Sequence, residues 1–249
     1  LLYCKSEDGG VTFGDWQLLD GLTSEYYLGF SGDTYSWLIP YENDIAFVIS
    51  ESSVDLILMH SADNGDTWEK IVVWEHPYPF YSTTMVTEKF YCPDGSAHGV
   101  IDKYGKIHLA FGVNRAYADG ASSYWFPWVD GVAYWNSDKP RWLGGDTLAL
   151  HPDSLYAHGD LIGWMQDVNG NDTLDLIYNS SGSYALYYIG PTSMPQIIYD
   201  NDNDILYAVF ASVTEGYETE TQDRRHLWTR VSYDRGVTWS DFTDLVANI

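Results

Sequence analysis

Short runs of alternating apolar and polar residues, separated by clusters of Gly, Asp and Asn, recur along the whole chain. A strand, a polar turn and a strongly apolar strand follow one another in 37–48, 97–111, 162–178 and 194–210. Alternation with a period of two is the pattern of a half-buried strand, and Gly, Asp and Asn clusters mark turns. No stretch of the sequence has helical periodicity, so the pattern predicts an all-β protein.

One octapeptide, Ser-x-Asp-x-Gly-x-Thr followed by an aromatic residue, occurs at 6–13, 61–68 and 232–239, named here box 1, box 2 and box 3. Its Asp can accept hydrogen bonds from backbone N–H groups two residues on, and its Gly supplies a positive φ. The pattern therefore predicts a tight turn whose aromatic residue anchors it on the next strand. The defining residues are Ser6, Asp8, Gly10, Thr12 and Phe13; Ser61, Asp63, Gly65, Thr67 and Trp68; and Ser232, Asp234, Gly236, Thr238 and Trp239.

The spacing of the boxes predicts a repeat. Ser6 and Ser61 are 55 residues apart, and Ser61 and Ser232 are 171 apart, which is three steps of 57. Two degenerate boxes are therefore expected between them, at 134–142 and 178–184. Each unit reads as four strands with short turns, the blade of a β-propeller. We predict one propeller domain or segment with a partial blade at 1–30 and blades at 31–80, 81–145, 146–190 and 191–249.

The boxes resemble the Asp-box, or BNR repeat, of sialidase-like β-propellers, which links the third and fourth strands of a blade on the outer rim. Such a ring has six blades, so the resemblance implies that these four and a half blades belong to a larger ring. The chain also begins inside a predicted strand, without Met or a signal peptide, and we expect it to be a piece of a longer protein. A looser resemblance, over 95–245, is to propeller regions of large bacterial proteins that use the type IX secretion route, which implies export to the cell surface or beyond.

Sialidase chemistry, as that family performs it, needs three Arg residues on the substrate carboxylate, a Tyr nucleophile with a Glu partner, and an Asp acid. The family's Arg motif would align with Trp37-Leu38-Ile39-Pro40, where Leu38 replaces the Arg. Leu cannot make the bidentate clamp on a carboxylate. We therefore predict no catalytic residue; the alternative is a glycoside hydrolase whose acids lie at the channel mouth or in further blades.

The charge balance restricts the partners. The chain has 36 Asp and Glu against 12 Lys and Arg, a formal net charge of −24. Such a surface repels phosphate backbones and anionic lipids, so we expect neither nucleic-acid binding nor membrane insertion. The two cysteines, Cys4 and Cys92, either pair in an exported protein or remain free buried thiols, and the second interpretation is favoured.

Two histidines occupy similar sequence contexts. His98 and His158 each lie between Ala and Gly, 60 residues apart, at the predicted start of an innermost strand. Both imidazoles would then lie near the mouth of the central channel, where they could contact a sugar or share a metal. A repeated packing role is the favoured interpretation, because no third ligand is evident.

An Asp- and Asn-rich stretch is a candidate for structural calcium. Asp167, Asn169, Asn171 and Asp175 alternate oxygen-bearing side chains, as calcium loops do. The twelfth position of such a loop, counted from Asp167, is Tyr178 rather than an acid. A turn without an ion is therefore the favoured interpretation.

A long loop between Phe111 and Gly131 carries more aromatic residues than a solvated loop needs. Exposed, these rings would stack on sugars or on a partner's apolar patch; folded down, they would cap the blade edge. The candidate ligand-binding residues of this loop are Tyr124, Trp125, Phe126 and Trp128. Our first hypothesis is a non-catalytic extracellular propeller segment that binds a glycan or a surface protein; a structural spacer or secretion cargo without its own ligand is a further alternative.

Overall fold

The computed structural model describes residues 1–126, 128–176, 189–218 and 223–247. The described chain is nearly all-β and forms four antiparallel sheets. Sheet 1 contains β1 (Leu2–Tyr3) and β2 (Gln17–Leu18), and sheet 2 contains β3 (Tyr35–Trp37), β4 (Ile45–Ile49), β5 (Leu56–Ser61) and β6 (Glu69–Trp74). Sheets 3 and 4 follow in the second half of the chain.

Sheet 3 has the order β11-β10-β8-β7, and β9 pairs with β8 beside this path. Its strands are β7 (Phe90–Ile101), β8 (Ile107–Ala118), β9 (Ser123–Phe126), β10 (Val132–Asn136) and β11 (Leu161–Gly163). Sheet 4 runs in chain order through β12 (Thr192–Asp200), β13 (Ile205–Glu218), β14 (Asp223–Ser232) and β15 (Thr243–Asp244).

The segment 146–190 differs from the separate blade that the spacing predicts. Its described residues form helix α1 (Pro152–Ala157) and β11, and β11 completes sheet 3 through Val132–Gly163 and Ala133–Leu161 pairs. The helix begins because the His151 side chain accepts a hydrogen bond from the Asp153 N–H and Pro152 tolerates the first turn. The predicted degenerate box at 178–184 lies outside the described residues.

The first strands of sheets 2, 3 and 4 lie side by side and run in the same direction. Ile39, just after β3, pairs in parallel with Val100 of β7, and the Ile101 N–H donates to the Ile39 carbonyl at 2.9 Å. On the other side of β7, contacts with β12 rise together in residue number: the Ser96 and Ser193 hydroxyls are 2.8 Å apart, and the Ile197 N–H donates to His98 Nδ1 at 3.1 Å. The ends at which the chain enters these three sheets therefore point the same way, and we call this side of the molecule the entry end.

The boxes lie at the opposite end. Box 2 joins β5 to β6 and box 3 joins β14 to β15, the third and fourth strands of their sheets, while box 1 joins β1 to β2. In an antiparallel sheet the turn between the third and fourth strands is at the far end from the chain entry. The turn between β4 and β5 and the hairpin between β8 and β9 are therefore at the entry end.

Apolar side chains fill the spaces between successive sheets. Alternate residues of β4 and β5 point to opposite sides, so Phe47 and Met59 pack towards sheet 1 whereas Val48 and Leu58 pack towards sheet 3. A third cluster, including Tyr199 and Phe210, lies between sheets 3 and 4. Sheet 2 is thus covered on both faces, which explains its continuous apolar strands.

Leu38, at the position aligned with the sialidase Arg, is a core residue. It is buried in the cluster between sheets 2 and 3 and packs on Gly99, where a Cβ would come within 2.7 Å of Leu38 Cγ. An Arg here would place its charge among apolar side chains. Cys4 and Cys92 are both free, and burial raises the pKa of the Cys92 thiol. Within the described residues, no helix is both long and apolar enough to cross a membrane.

Candidate ligand-binding surface at the entry end

The three boxes have the same internal hydrogen bonds. In each, the Ser Oγ donates to the Asp at 2.8 Å and accepts the Gly N–H at 2.7 Å, and the Thr Oγ1 donates to the same Asp at 2.5–2.6 Å. Hydrogen bonds from the Thr side chain and backbone lower the pKa of Asp8 and Asp63 to about 2. For Asp234, desolvation acts to raise the pKa, but the hydrogen bonds from Thr238 outweigh it and lower the pKa to about 2. These Ser, Asp, Gly and Thr groups therefore bond to one another within each turn.

The box aromatic residues anchor two of the three turns. The ring of Trp68 lies 5.9 Å from Tyr3 and 5.5 Å from Phe47, and Trp239 lies 5.2 Å from Tyr134. Phe13 is 64% exposed, so the predicted anchoring fails in box 1. Sheet 1 has only two short strands, which leave little surface for that ring to cover.

The predicted aromatic loop is a β-hairpin. β8 extends to Ala118 and pairs with β9 in the register Arg115–Phe126, Ala116–Trp125 and Tyr117–Tyr124. The sequence pattern missed this extension because the apolar alternation of β8 stops at Phe111, while strand pairing continues. We call residues 115–126 the aromatic hairpin.

One face of the aromatic hairpin carries a ladder of stacked rings. Tyr117 stacks on Tyr124 at 4.8 Å and on Phe126 at 5.6 Å between ring centres, each pair within 13° of parallel. The Arg115 guanidinium lies 4.8 Å from the centre of Phe126. Phe126 is therefore engaged on the hairpin, whereas Tyr124 at the end of the ladder is 39% exposed.

The other large rings of this region are partly exposed to solvent. Trp125 and Trp128 are each 45% exposed. Trp125 Nε1 donates to Ser52 Oγ of the β4–β5 turn at 2.6 Å, and the Tyr124 hydroxyl donates to Asp119 at 2.9 Å. The hairpin thus presents two large rings held by hydrogen bonds, Tyr124 and Trp125, and the exposed Trp128 lies two residues beyond its end.

A pocket of about 240 Å³, named here the central pocket, is lined by the start of β3, the middle of β7 and the first residues of β12. Irregularities in the pairing of β7 and β12 bring Ser96 and Ser193 together, with 2.8 Å between their hydroxyl oxygens. Beneath them Asp94 accepts hydrogen bonds from the Ser193 hydroxyl and from Ser96 Oγ at 2.7 Å. Asp94 fits only because residue 112 is Gly, where a Cβ would meet the carboxylate at 2.2 Å.

Desolvation raises the pKa of Asp94, and the hydrogen bonds from Ser193 and Ser96 act in the opposite direction. Burial also raises the pKa of Asp130, which accepts the Met165 N–H at 2.8 Å. Arg225 donates to the Gly190 and Pro191 carbonyls at 2.9 and 2.6 Å and interacts electrostatically with both carboxyls. Sequence reasoning missed this polar cluster, since its members come from four distant segments.

The two histidines do not occupy the equivalent positions at the starts of strands that their spacing predicts. His98 lies on β7 with Nδ1 bonded to β12, and desolvation lowers its pKa. His158 is the C-cap of α1 and not the start of a strand; its Nδ1 lies 2.7 Å from the Ser154 carbonyl, and it lines a different pocket with Lys139 and Trp142. The short helix α1 breaks the equivalence that the 60-residue spacing indicates.

The Asp- and Asn-rich stretch forms a turn held by its own side chains. Asp167 accepts the Gly170 and Asp172 N–H groups, both at 2.7 Å, and Asp175 accepts the side-chain amides of Asn169 and Asn171 at 3.1 and 2.8 Å. Buried Glu215 accepts the backbone N–H groups of Asn169 and Asp175. Among the described residues, no three His, Cys, Asp or Glu side chains are grouped as a metal site.

The chain matches no family model and none of the curated proteins. Similar solved structures include a Hadza microbial sialidase, with 13% identity and a TM-score of 0.39 over 96% of this chain and 39% of that one. A protein of unknown function from Dyadobacter fermentans has 13% identity and a TM-score of 0.38 over 83% and 52%, respectively. Inulosucrase from Halalkalicoccus jeotgali has 11% identity and a TM-score of 0.36 over 85% and 51%. This chain spans between 39% and 52% of the lengths of these three, and with TM-scores below 0.5 none assigns an activity to it.

Proposed function

We propose that this chain is a non-catalytic carbohydrate-binding segment of a β-propeller in a larger exported protein, and that the aromatic hairpin is its binding surface. The observation that carries the proposal is the exposure of Tyr124 and Trp125, each held on the hairpin by a hydrogen bond, with exposed Trp128 two residues beyond its end. Large rings held in place before binding lose little conformational entropy on contact, so exposed aromatic area converts efficiently into affinity.

A glycan suits this surface better than an apolar protein patch. The exposed rings stand among polar groups, since Asp119 holds the Tyr124 hydroxyl and Arg115 and Lys89 lie over Phe126. A pyranose ring has an apolar C–H face for stacking and hydroxyls at its edge for such polar neighbours. The propeller part of the proposal is supported by the side-by-side first strands and by boxes that join third and fourth strands.

A glycan array with the purified chain tests the proposal. The double variant Trp125→Ala/Trp128→Ala removes two stacking surfaces, and we expect its affinity for the bound glycan to fall by about tenfold or more. Trp16→Ala is the matched control, because Trp16 is 69% exposed and belongs to the connection between β1 and β2. Unchanged glycan binding by the double variant would show that the hairpin is not the binding surface. If the wild-type chain binds no glycan, the proposed carbohydrate-binding function is refuted.

A second candidate is a glycoside hydrolase centred on the central pocket. It is favoured by the raised pKa of Asp94, which a general acid requires; Asp94 is bonded to Ser96 of the pocket lining but does not itself line the pocket. Against it, the Asp94 carboxylate already accepts bonds from Ser96 and Ser193. Hydrolysis of aryl glycosides that is lost in Asp94→Asn would establish this candidate; no hydrolysis by the wild-type chain would exclude it.

A further inference from the structure

A second aromatic pocket lies at the entry end between sheets 1 and 2, and we call it the Tyr26 pocket. It has a volume of about 300 Å³ and is lined by residues 25–29, by 53–55 of the β4–β5 turn, by Lys70 of β6, and by 75, 76 and 78–81 after β6. Two large rings at its border, Tyr26 and Phe80, are 49% and 45% exposed. The volume is at the lower end of ligand pockets and suits one sugar ring.

Phe80 has an unusual backbone conformation that keeps its ring at the pocket. Its φ is +54°, in the left-handed region that bulky residues rarely adopt. Residues in such conformations persist only where their surroundings fix them, and they cluster at ligand-binding sites. Here the following Tyr81 is buried against Phe90 and His76, which fixes the chain around Phe80.

The polar lining of the Tyr26 pocket carries more carboxylates than ammonium groups. Glu25, Asp55 and Glu75 contribute three carboxylates, and Lys70 is the one ammonium among the lining residues. Lys70 is already engaged, since its Nζ donates to the Gly21 carbonyl at 3.2 Å and the Tyr27 hydroxyl at 3.3 Å. Such a lining accepts hydrogen bonds from hydroxyl groups and repels a ligand carboxylate.

Ser52 links the pocket wall to the aromatic hairpin. The His76 N–H donates to Asp55 at 2.8 Å, and the His76 ring donates from Nε2 to the Ser52 carbonyl at 3.1 Å, while Nδ1 accepts the Tyr78 N–H. The hydroxyl of the same Ser52 accepts the Trp125 indole N–H. One residue therefore connects the wall of the pocket to a ring of the hairpin.

We propose that the Tyr26 pocket binds a single ring of an uncharged glycan, stacked against Tyr26 and Phe80 with its hydroxyls donating to Glu25 and Glu75, while neighbouring sugar units contact the aromatic hairpin. This inference rests on the proposed carbohydrate-binding function. It adds the class of ligand, namely neutral sugars rather than acidic ones.

Titration calorimetry with cellotetraose, xylotetraose, mannotetraose and tetragalacturonate tests the inference. We expect the wild-type chain to bind at least one neutral tetrasaccharide and to bind tetragalacturonate at least about tenfold more weakly, because like charges repel. Tighter binding of tetragalacturonate, or binding of none of the four, would overturn the inference.

Phe80→Gly separates the role of the ring from that of the fold. Glycine adopts a positive φ freely, so this variant removes the ring while it relaxes the backbone. We expect an unchanged or higher melting temperature with affinity for the neutral tetrasaccharide lowered about five- to tenfold, and recovery in Phe80→Tyr, which keeps a ring. Trp16→Ala serves as the control.

The failure of this inference is distinguishable from that of the proposed function. Wild-type affinity in Phe80→Gly together with lost affinity in Trp125→Ala/Trp128→Ala would overturn the Tyr26 pocket and leave the hairpin function intact. Wild-type affinity in both variants would overturn both.

Discussion

At the scale of the residue, the serine of each box stabilises the turn from inside. Ser61 and Ser232 are almost fully buried, and each accepts the N–H of a buried Gly at 2.7 Å. Ser61→Ala would leave that N–H without its acceptor, and we expect a loss of about 1–3 kcal/mol in the free energy of unfolding, measured in urea. Ser6→Ala is the control: box 1 is exposed, so water replaces the hydroxyl and the loss is smaller. Equal losses at Ser6 and Ser61 would contradict this explanation.

His76 makes stability depend on pH in the wall of the Tyr26 pocket. Desolvation lowers its pKa to about 4 from 6.5, although bonds to Ser52 and Tyr78 act in the other direction. Because the folded pKa lies below the unfolded one, the contribution is complete above pH 6.5 and is lost as the pH falls towards 4. We expect a loss of about 3 kcal/mol across this range.

His76→Gln provides the comparison for this prediction, since Gln can hydrogen-bond but does not titrate. Its free energy of unfolding, measured in urea between pH 7 and 4, should have a shallower pH dependence than that of the wild type. Identical slopes would show that His76 is not the titrating group. The box carboxylates affect stability at lower pH. The pKa of Asp63 is about 2 in the folded chain, so its contribution to stability is lost only as the pH falls below the unfolded pKa of about 3.9.

At the scale of the element, boxes 2 and 3 each contact a tyrosine of the neighbouring sheet. The Tyr3 hydroxyl of sheet 1 donates to the Gly65 carbonyl of box 2 at 3.3 Å. Gly236 of box 3 lies against Tyr134 of sheet 3, and a Cβ on it would meet the Tyr134 hydroxyl oxygen at 1.9 Å. That hydroxyl belongs to a buried network with His108 and Asp102.

Substitution of the same glycine in two boxes separates turn strain from sheet packing. Gly236→Ala introduces both a positive-φ strain and a clash with Tyr134, and we expect a loss of about 2–4 kcal/mol. Gly10 has a φ of +91°, and a Cβ added there would have no atom within 4 Å. We therefore expect Gly10→Ala to lower the free energy of unfolding only by the backbone strain, about 1–2 kcal/mol. Thermal unfolding of the two variants gives the comparison. A similar loss in both would mean that the contact with Tyr134 does not restrict position 236.

The boxes could be predicted from the sequence because every bond in them spans at most four residues. The aromatic hairpin could not, because Ser123–Phe126 becomes a strand only by pairing with the extension of β8. The short helix α1 was missed for a related reason: six residues are too few for a helical period to appear. Because of this helix, His158 is a helix C-cap and not the first residue of a strand.

At the scale of the whole molecule, sheets 2 and 4 differ in how they are covered. Leu58 of sheet 2 is fully buried, whereas Leu227, on the face of sheet 4 away from sheet 3, is 47% exposed. We expect Leu58→Ala to cost about 2–5 kcal/mol and Leu227→Ala less than about 0.5 kcal/mol in the isolated chain. Denaturant unfolding measures both. A large loss in Leu227→Ala would show that another surface covers sheet 4 in solution.

The sequence predicted the class of the fold, since the described chain is nearly all-β with antiparallel sheets. It did not predict the pockets, which form where distant segments meet. Tyr26 and Phe80 border one pocket although 54 residues separate them, and Asp94 reaches Ser193 from a neighbouring sheet. Local patterns contain no information on such contacts.

The most direct test of carbohydrate binding is the set of tryptophan indole N–H resonances in a ¹⁵N-labelled chain, titrated with the glycan selected on the array. The chain has 11 Trp residues, and the Trp125 and Trp128 signals are assigned by their disappearance in Trp125→Phe and Trp128→Phe. We predict that these two signals shift with the glycan concentration while those of Trp16 and the box residues Trp68 and Trp239 do not. A bound glycan that leaves the Trp125 and Trp128 signals unmoved would contradict the proposed binding surface.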